Sequence, residues 1–414
     1  MRVEFSPPDI NADDIQAVVA ALQSGWITTG PRTKQFEQAL ARWCGTAKVA
    51  CLNSATAAME CALRLLDVGP GDEVITSAYT YTASASVICH VGATPVLVDV
   101  AAGTYQMDPQ ALARVLSPRT KAIIPVDIGG VMENYDALLE VLNGLNHRRL
   151  YQPRSHTLQE LFTRVPIVAD AAHAFGATYH GQSSGAVADF SAFSFHAVKN
   201  LTTAEGGALT WRPGLGDAAL DERLYHHLML YSLHGQDKDA LAKSAAGGWE
   251  YDVVAPLYKC NMTDINAALG LSQLQRYPAL LARRQVLIDQ YQQQLQAAAQ
   301  RGGYQLDIMQ HADQAGSRSS GHLMMVRLLG RDEAFRNELI RRMADRDVVC
   351  NVHFKPLPML TAYSALGFAI GDFPQAFQQY QNEVTLPLHT LLSDADVQYV
   401  CESFDAAYRE CQVG

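Results

Sequence analysis

The chain runs to 414 residues, more than one ordinary core holds, so two domains are expected. Apolar residues make up 48 % and charged residues 18 %, a balance that gives a large interior and excludes a disordered chain. A net charge of −10 leaves no basic surplus for phosphate backbones, which excludes a general nucleic-acid binder.

No apolar run reaches about 18 residues, so no membrane span is expected. The N-terminal MRVEFSPPDINADD has no apolar h-region, so no secretory signal is expected and a cytoplasmic location is. The eight cysteines form no CxxC pair and read as free thiols in a reducing compartment. The thirteen histidines show no HExxH spacing, so no metal site is assigned.

The first helix is expected after Asn11, a good N-cap, with Asp13 and Asp14 at the positive end of its dipole. Ile15, Val18, Val19 and Leu22 would form its apolar face, and Gly25 would end it. A second helix carries Phe36, Leu40 and Trp43. From about residue 47 short apolar runs alternate with helical stretches. KVACL, DEVIT, TPVLVDV, KAIIPVD and VPIVAD read as buried parallel strands, with helices over 57–66 and 109–116 among them. That alternation predicts an α/β fold, with a mainly parallel central sheet flanked by helices.

One stretch, NGLNHRRLYQPRSHTLQELFTR over 143–164, breaks the rhythm and holds Arg148, Arg149, Arg154 and Arg164. Two readings stand: a surface excursion with a solvated basic face, or a flap near an anionic substrate. DFSAFSF and GGALTW close the sheet pattern. Beyond them a helix starts near Thr263 and another covers 278–300, followed by the strand-like HLMMVRL and DVVCNVHF. This divides the chain into a large domain, 1–255, and a smaller α+β C-terminal domain, 256–414.

The chemistry concentrates in DFSAFSFHAVKNLTTAEGGALTW. An alternating strand delivers Ser194 and then Lys199 into a turn. Desolvation between the strand ends would lower the Lys199 pKa and make it a Schiff-base nucleophile and proton carrier. Upstream, a buried strand ends in Asp170, at the usual ligand crevice of a parallel sheet. Pyridoxal phosphate needs such a carboxylate at its ring nitrogen, so that the ring can act as an electron sink. CLNSATAAMECAL puts Ser54, Ala55 and Thr56 at a helix N-terminus, where free amides make a phosphate site. Each feature alone is more often structural; the three together form a cofactor cradle.

With these residues the chain resembles the DegT/DnrJ/EryC1/StrS family, the nucleotide-sugar aminotransferases of pyridoxal-phosphate fold type I. The likeness extends over GWITTGPRTKQFE, NSATAAM, DEVITSAYTYTAS, DAAHAFGA, SFHAVKNLTTAEGG, YKCNMTDINAALGLSQL and NVHFKPLP. The 143–164 stretch is longer than the family usually shows, so no role carries over to it.

The resemblance implies that Lys199 holds the cofactor and that Asp170 pairs with its ring nitrogen. His173 fills a position, often Gln, near the ring oxygen, and Tyr81 stacks on the ring. Ala55, Thr56 and Ser194 contact the phosphate. Asn261 reaches the cofactor phosphate of a neighbouring subunit, which implies a homodimer with shared sites. The implied reaction is amination of a nucleotide-linked keto sugar, at C3 or C4 of a 6-deoxy hexose with C4 preferred, with L-glutamate as donor and pyridoxamine phosphate in the cycle. Some members carry histidine at the lysine position and act as sugar dehydrases; here that position is Lys199, and His196 lies outside it. A lysine-dependent sugar dehydrase and a non-catalytic pyridoxal-phosphate regulator are the alternatives.

Overall fold

The computed structural model describes residues 2–244, 249–311 and 316–413. The short apolar runs after residue 47 are buried and form strands β1 (Val49–Leu52), β2 (Glu73–Ser77), β3 (Thr94–Val98), β4 (Thr120–Ile124), β5 (Val168–Asp170), β6 (Phe190–Ser194) and β7 (Gly207–Trp211). β3, β2 and β4 pair in parallel. Parallel bridges Ile123–Ile167 and Val126–Asp170 continue the sheet from β4 to β5. β6 follows in parallel with β5, then β7 and β1 in antiparallel pairs. Only β7 opposes the common direction, so the sheet is mainly parallel, as expected. The carboxyl ends of β1, β2, β5 and β6 therefore share one edge, where ligands bind in such sheets.

The connecting helices include α1 (Ala12–Gln23), α2 (Pro31–Cys44), α3 (Ala55–Leu65), α4 (Ala83–His90), α5 (Pro109–Val115), α6 (Tyr135–Asn143) and α7 (Leu145–Leu150). Asn11 caps α1 in a capping box with Asp14. The expected apolar face of α1 is corrected: Ile15 and Leu22 are exposed, while Asp14 is buried. The reason is electrostatic. Asp14 accepts hydrogen bonds from Gln273 and Arg276, both at 2.7 Å, and this turns α1 by its polar side.

After α8 (Ala218–Ser232) comes α9, a single helix of 39 residues over Asp264–Gly302. The sequence reading split it at Pro278. An interior proline costs about 3 kcal/mol, but packing outweighs that here. Tyr277, Leu280, Arg284 and Leu287 around it are all buried, and the Tyr277 hydroxyl donates to the Phe175 carbonyl at 2.5 Å.

The C-terminal part has an antiparallel sheet of β8 (Leu306–Ile308), β9 (Met324–Leu328) and β10 (Glu383–Leu386), with α10 (Glu333–Ala344) and α11 (Asp394–Val413). HLMMVRL supplies β9, but DVVCNVHF is not a strand. Val348 and Asn351 make only isolated bridges, to Val3 and Thr385. α9 joins two hydrophobic cores: Tyr277 and Leu280 belong to the first, and Leu287, Ile288, Tyr291 and Leu295 to the second. Among the described residues, no helix is long and apolar enough to cross a membrane.

Candidate active site

A cavity of about 460 Å³ opens at the shared carboxyl edge of the sheet. Lys199, Asp170, His173 and Tyr81 line it, as do Ala55, Thr56 and Ser194. The structure thus brings seven of the eight expected residues together; Asn261 does not line this cavity.

Lys199 follows β6 in a turn closed by its own N–H donating to the His196 carbonyl at 2.9 Å. The turn leaves the side chain half-buried, with its amine in the cavity. Burial pushes its pKa down to about 8, against the pull of the Asp170 charge. Asp170 ends β5 and is buried. Its Oδ2 accepts the Ser84 hydroxyl at 2.6 Å and its Oδ1 accepts the Ala172 N–H at 3.2 Å. Burial raises the Asp170 pKa, while these two bonds and Lys199 oppose the rise.

His173 is held in one tautomer. Its Nδ1 accepts the Gly129 N–H at 3.2 Å, so Nε2 carries the proton and is a donor. Burial, then Lys199, keeps its pKa well below the usual imidazole range. Tyr81 stands at the mouth, 61 % exposed, with its ring 5.9 Å from that of Phe354.

The remaining wall is the start of α3. Ser54 caps it by accepting the Ala57 N–H at 3.1 Å, which leaves the amides of Ala55 and Thr56 for an anion. β7 passes close beneath. A Cβ on Gly207 would lie 2.3 Å from the Ser54 carbonyl carbon, so only glycine permits this approach. A desolvated amine, a fixed carboxylate and a helix N-terminus are the donor set that pyridoxal phosphate requires for its aldehyde, ring nitrogen and phosphate.

Asn261 sits beside Leu52 in an antiparallel bridge, outside the cavity. Its side chain accepts from Lys259 and donates to the Thr29 hydroxyl. It does not cap α9; Thr263 does, accepting the Asn266 N–H at 3.3 Å.

Several residues at or behind the cavity wall were not anticipated individually. Ser84 holds Asp170. His322 lines the wall, with Nδ1 at 2.9 Å from Asn200 Oδ1 and its ring 4.4 Å from that of His173. His353 lines it too, under the stacked ring of Phe5. His353 lies in NVHFKPLP and His322 opens HLMMVRL, so the motifs held a signal, though neither pattern says which way a ring points.

The 143–164 excursion contributes nothing to this cavity. Arg154 binds Asp67 at 2.7 Å and Asp72 at 2.8 Å, and Arg164 binds the buried Asp189 at 2.7 Å. Two of its four arginines are thereby structural, and Arg148 and Arg149 are exposed. This favours the surface excursion over the flap.

The model of the DegT/DnrJ/EryC1/StrS aminotransferase family matches residues 8–146 and 159–405. The chain belongs to that family. The unmatched piece, 147–158, falls inside the excursion. The Bacillus subtilis spore coat polysaccharide biosynthesis protein SpsC is 38 % identical over 403 residues, 96 % of this chain and 95 % of SpsC. Spr1654 from Streptococcus pneumoniae, assigned as a sugar aminotransferase and solved in its PMP form, is 48 % identical with a TM-score of 0.93, covering 100 % of this chain and 99 % of that one. Its PLP form superposes with a TM-score of 0.92. Helicobacter pylori PseC, an aminotransferase of pseudoaminic acid biosynthesis, is 25 % identical with a TM-score of 0.83, over 99 % of this chain and 100 % of that one. This chain is accordingly an aminotransferase of fold type I.

Proposed function

We propose that this aminotransferase uses pyridoxal phosphate to move an amino group from L-glutamate to a nucleotide-linked keto sugar, at C4 of a 6-deoxy hexose. The observation that carries the reading is that Lys199, Asp170 and the start of α3 face one cavity. The sugar acceptor is supported by the likeness to Spr1654, SpsC and PseC. When bound, the cofactor supplies an electron sink for breaking the donor's C–H bond and carries the amino group as pyridoxamine phosphate.

The chain's own residues do the rest. Lys199 holds the cofactor aldehyde; with a pKa near 8 its amine can take and return the proton at neutral pH. Asp170, fixed by Ser84 and Ala172, keeps the ring nitrogen protonated. The Nε2–H of His173 would donate to the ring oxygen of the bound cofactor, the same donor character a glutamine amide would have there. Tyr81 covers the ring face. Ala55, Thr56 and Ser194 receive the phosphate. Asn261, outside its own cavity, serves the phosphate of a second subunit in a homodimer.

The test is a screen of UDP-, dTDP- and GDP-linked 4-keto and 3-keto sugars with L-glutamate, read by mass spectrometry. An amino sugar and 2-ketoglutarate in equal amounts are expected. Loss of a sugar hydroxyl without consumption of glutamate would make the chain a dehydrase. Cofactor absorbance without any turnover would make it a regulator.

A further inference from the structure

We propose that Glu383, Thr385 and His353 form a proton relay into the cavity that serves the oxygen leaving the ketone as water. The inference rests on the transaminase reading above and adds residues to it.

Glu383 and Thr385 lie two apart on β10 and so share one face of the sheet. Thr385 Oγ1 is 2.5 Å from Glu383 Oε1 and 2.9 Å from His353 Nδ1. The other carboxyl oxygen, Oε2, accepts the His353 backbone N–H at 2.9 Å. Acid and imidazole are thereby locked in one frame. His353 lines the cavity together with Lys199, and with Nδ1 engaged by Thr385 its remaining ring nitrogen is Nε2. A carboxyl group with 0 % exposure is thus wired to the reaction space through one hydroxyl and one ring.

The acidities suit the two ends. Burial raises Glu383 to about 8, opposed by Thr385, the His353 N–H and Arg336 on α10. Tyr79, Tyr105 and Cys350 also face its charge, and Arg327 on β9 is its register partner across the sheet. Glu383 can therefore hold a proton at neutral pH and release it there. His353 cannot store one: burial, then Lys199, holds it to about 3. A neutral ring still conducts, receiving a proton at Nδ1 as it gives one at Nε2.

The step balances. The departing oxygen takes one proton from the attacking amine and the second from the relay. The Glu383 O–H bond breaks as Thr385 gains that proton. Thr385 gives its own proton to His353 Nδ1, the Nε2–H bond breaks, and an O–H bond forms on the oxygen that leaves as water. Glu383 remains as carboxylate. In the donor half-reaction water adds when the keto acid is released, and one of its protons runs the chain backwards to Glu383. Over a full cycle the two transfers cancel. His353 is the catalytic residue; Glu383 and Thr385 act through it as positioning residues.

The holoenzyme tests this with each half-reaction followed separately by cofactor absorbance, first with L-glutamate and then with a nucleotide-linked keto sugar. Glu383→Gln and Thr385→Val should slow both by about 100-fold. They should also abolish the solvent isotope effect and the limb near pH 8 expected of wild type, alkaline in the keto-sugar half-reaction, where Glu383 gives a proton, and acidic in the glutamate half-reaction, where it takes one. Thr385→Ser, which keeps the hydroxyl, should restore all three. Difference infrared spectra at pH 7 should show a protonated carboxylic acid in wild type that Glu383→Gln lacks. A Glu383→Gln rate and pH profile equal to wild type, or no such acid band, would overturn the relay. A wild type that fails to react with L-glutamate contradicts the transaminase reading instead, and the infrared band still decides whether the buried acid exists.

Discussion

Lys199 and Asp170 divide the chemistry between an amine that moves and a carboxylate that does not. Borohydride should fix the cofactor to Lys199 in the wild-type chain. In Lys199→Ala that adduct should vanish and turnover should fall at least about 1,000-fold, the range for loss of a positioned acid–base group. A variant that still transaminates at the wild-type rate would place the cofactor elsewhere. Asp170→Asn keeps the shape but removes the charge, so steady-state turnover should drop about 100-fold while cofactor is retained through its phosphate. Both residues were legible in the sequence because Asp170 closes an apolar strand and Lys199 stands in the turn after another. Ser84, His322 and His353 were not legible as site residues. They lie in DEVITSAYTYTAS, HLMMVRL and NVHFKPLP, but which way each side chain points is decided by tertiary packing. The His173 tautomer was equally hidden, since it depends on the Gly129 N–H.

The elements show the same division. The parallel strands were readable because residues buried on both faces must be apolar, and β1, β2, β4 and β5 are buried throughout. β8 and β10 were missed: Leu306–Ile308 is three residues long, and Glu383–Leu386 opens on a charged residue. α9 was read as two helices because the proline rule is local, whereas two cores hold this helix on either side of Pro278. Its first turn also carries a device that sequence does not show. Asp264 accepts the N–H groups of Gly30, Arg32 and Thr33 at 2.8, 3.0 and 2.9 Å, and the Thr33 hydroxyl at 2.7 Å. Asp264→Ala strands those donors in a buried place. The cost should be about 4 kcal/mol or more, at about 1 kcal/mol or more for each of the four orphaned donors. Urea unfolding measures it, and a loss under about 1 kcal/mol would mean that the loop re-forms its bonds elsewhere.

Across the whole molecule, buried titratable groups set the response to pH. Asp127 is raised to about 7, and Glu133 and Glu383 to about 8, all by burial. The folded chain therefore holds protons that the unfolded chain loses above about pH 4.5, and this stability declines until pH passes about 8. His311 and His353 are lowered to about 4 and 3, and His173 and His322 well below the usual range. Their contribution is complete above about 6.5 and lost as pH falls towards the folded values. Together these groups place the maximum near pH 6.5, with a steeper fall on the acid side below 4.5. Thermal melts across pH should show it, and Glu383→Gln should flatten part of the alkaline decline; a Tm that rises from pH 6.5 to 8 would contradict the burial of these acids.

Assembly gives a second test at this level. If Asn261 serves a partner's cofactor, mixing Lys199→Ala with Asn261→Ala subunits creates one complete site per heterodimer. Activity should recover to as much as half of wild type, and heterodimers seen by native mass spectrometry without any recovery would exclude the shared site. The passage of the amino group itself can be watched in one cuvette. L-glutamate alone should convert the cofactor-loaded chain to the pyridoxamine form. A nucleotide-linked keto sugar added afterwards should restore the original absorbance as amino sugar forms. Conversion by glutamate with no return on any UDP-, dTDP- or GDP-linked keto sugar would contradict transamination of such a sugar.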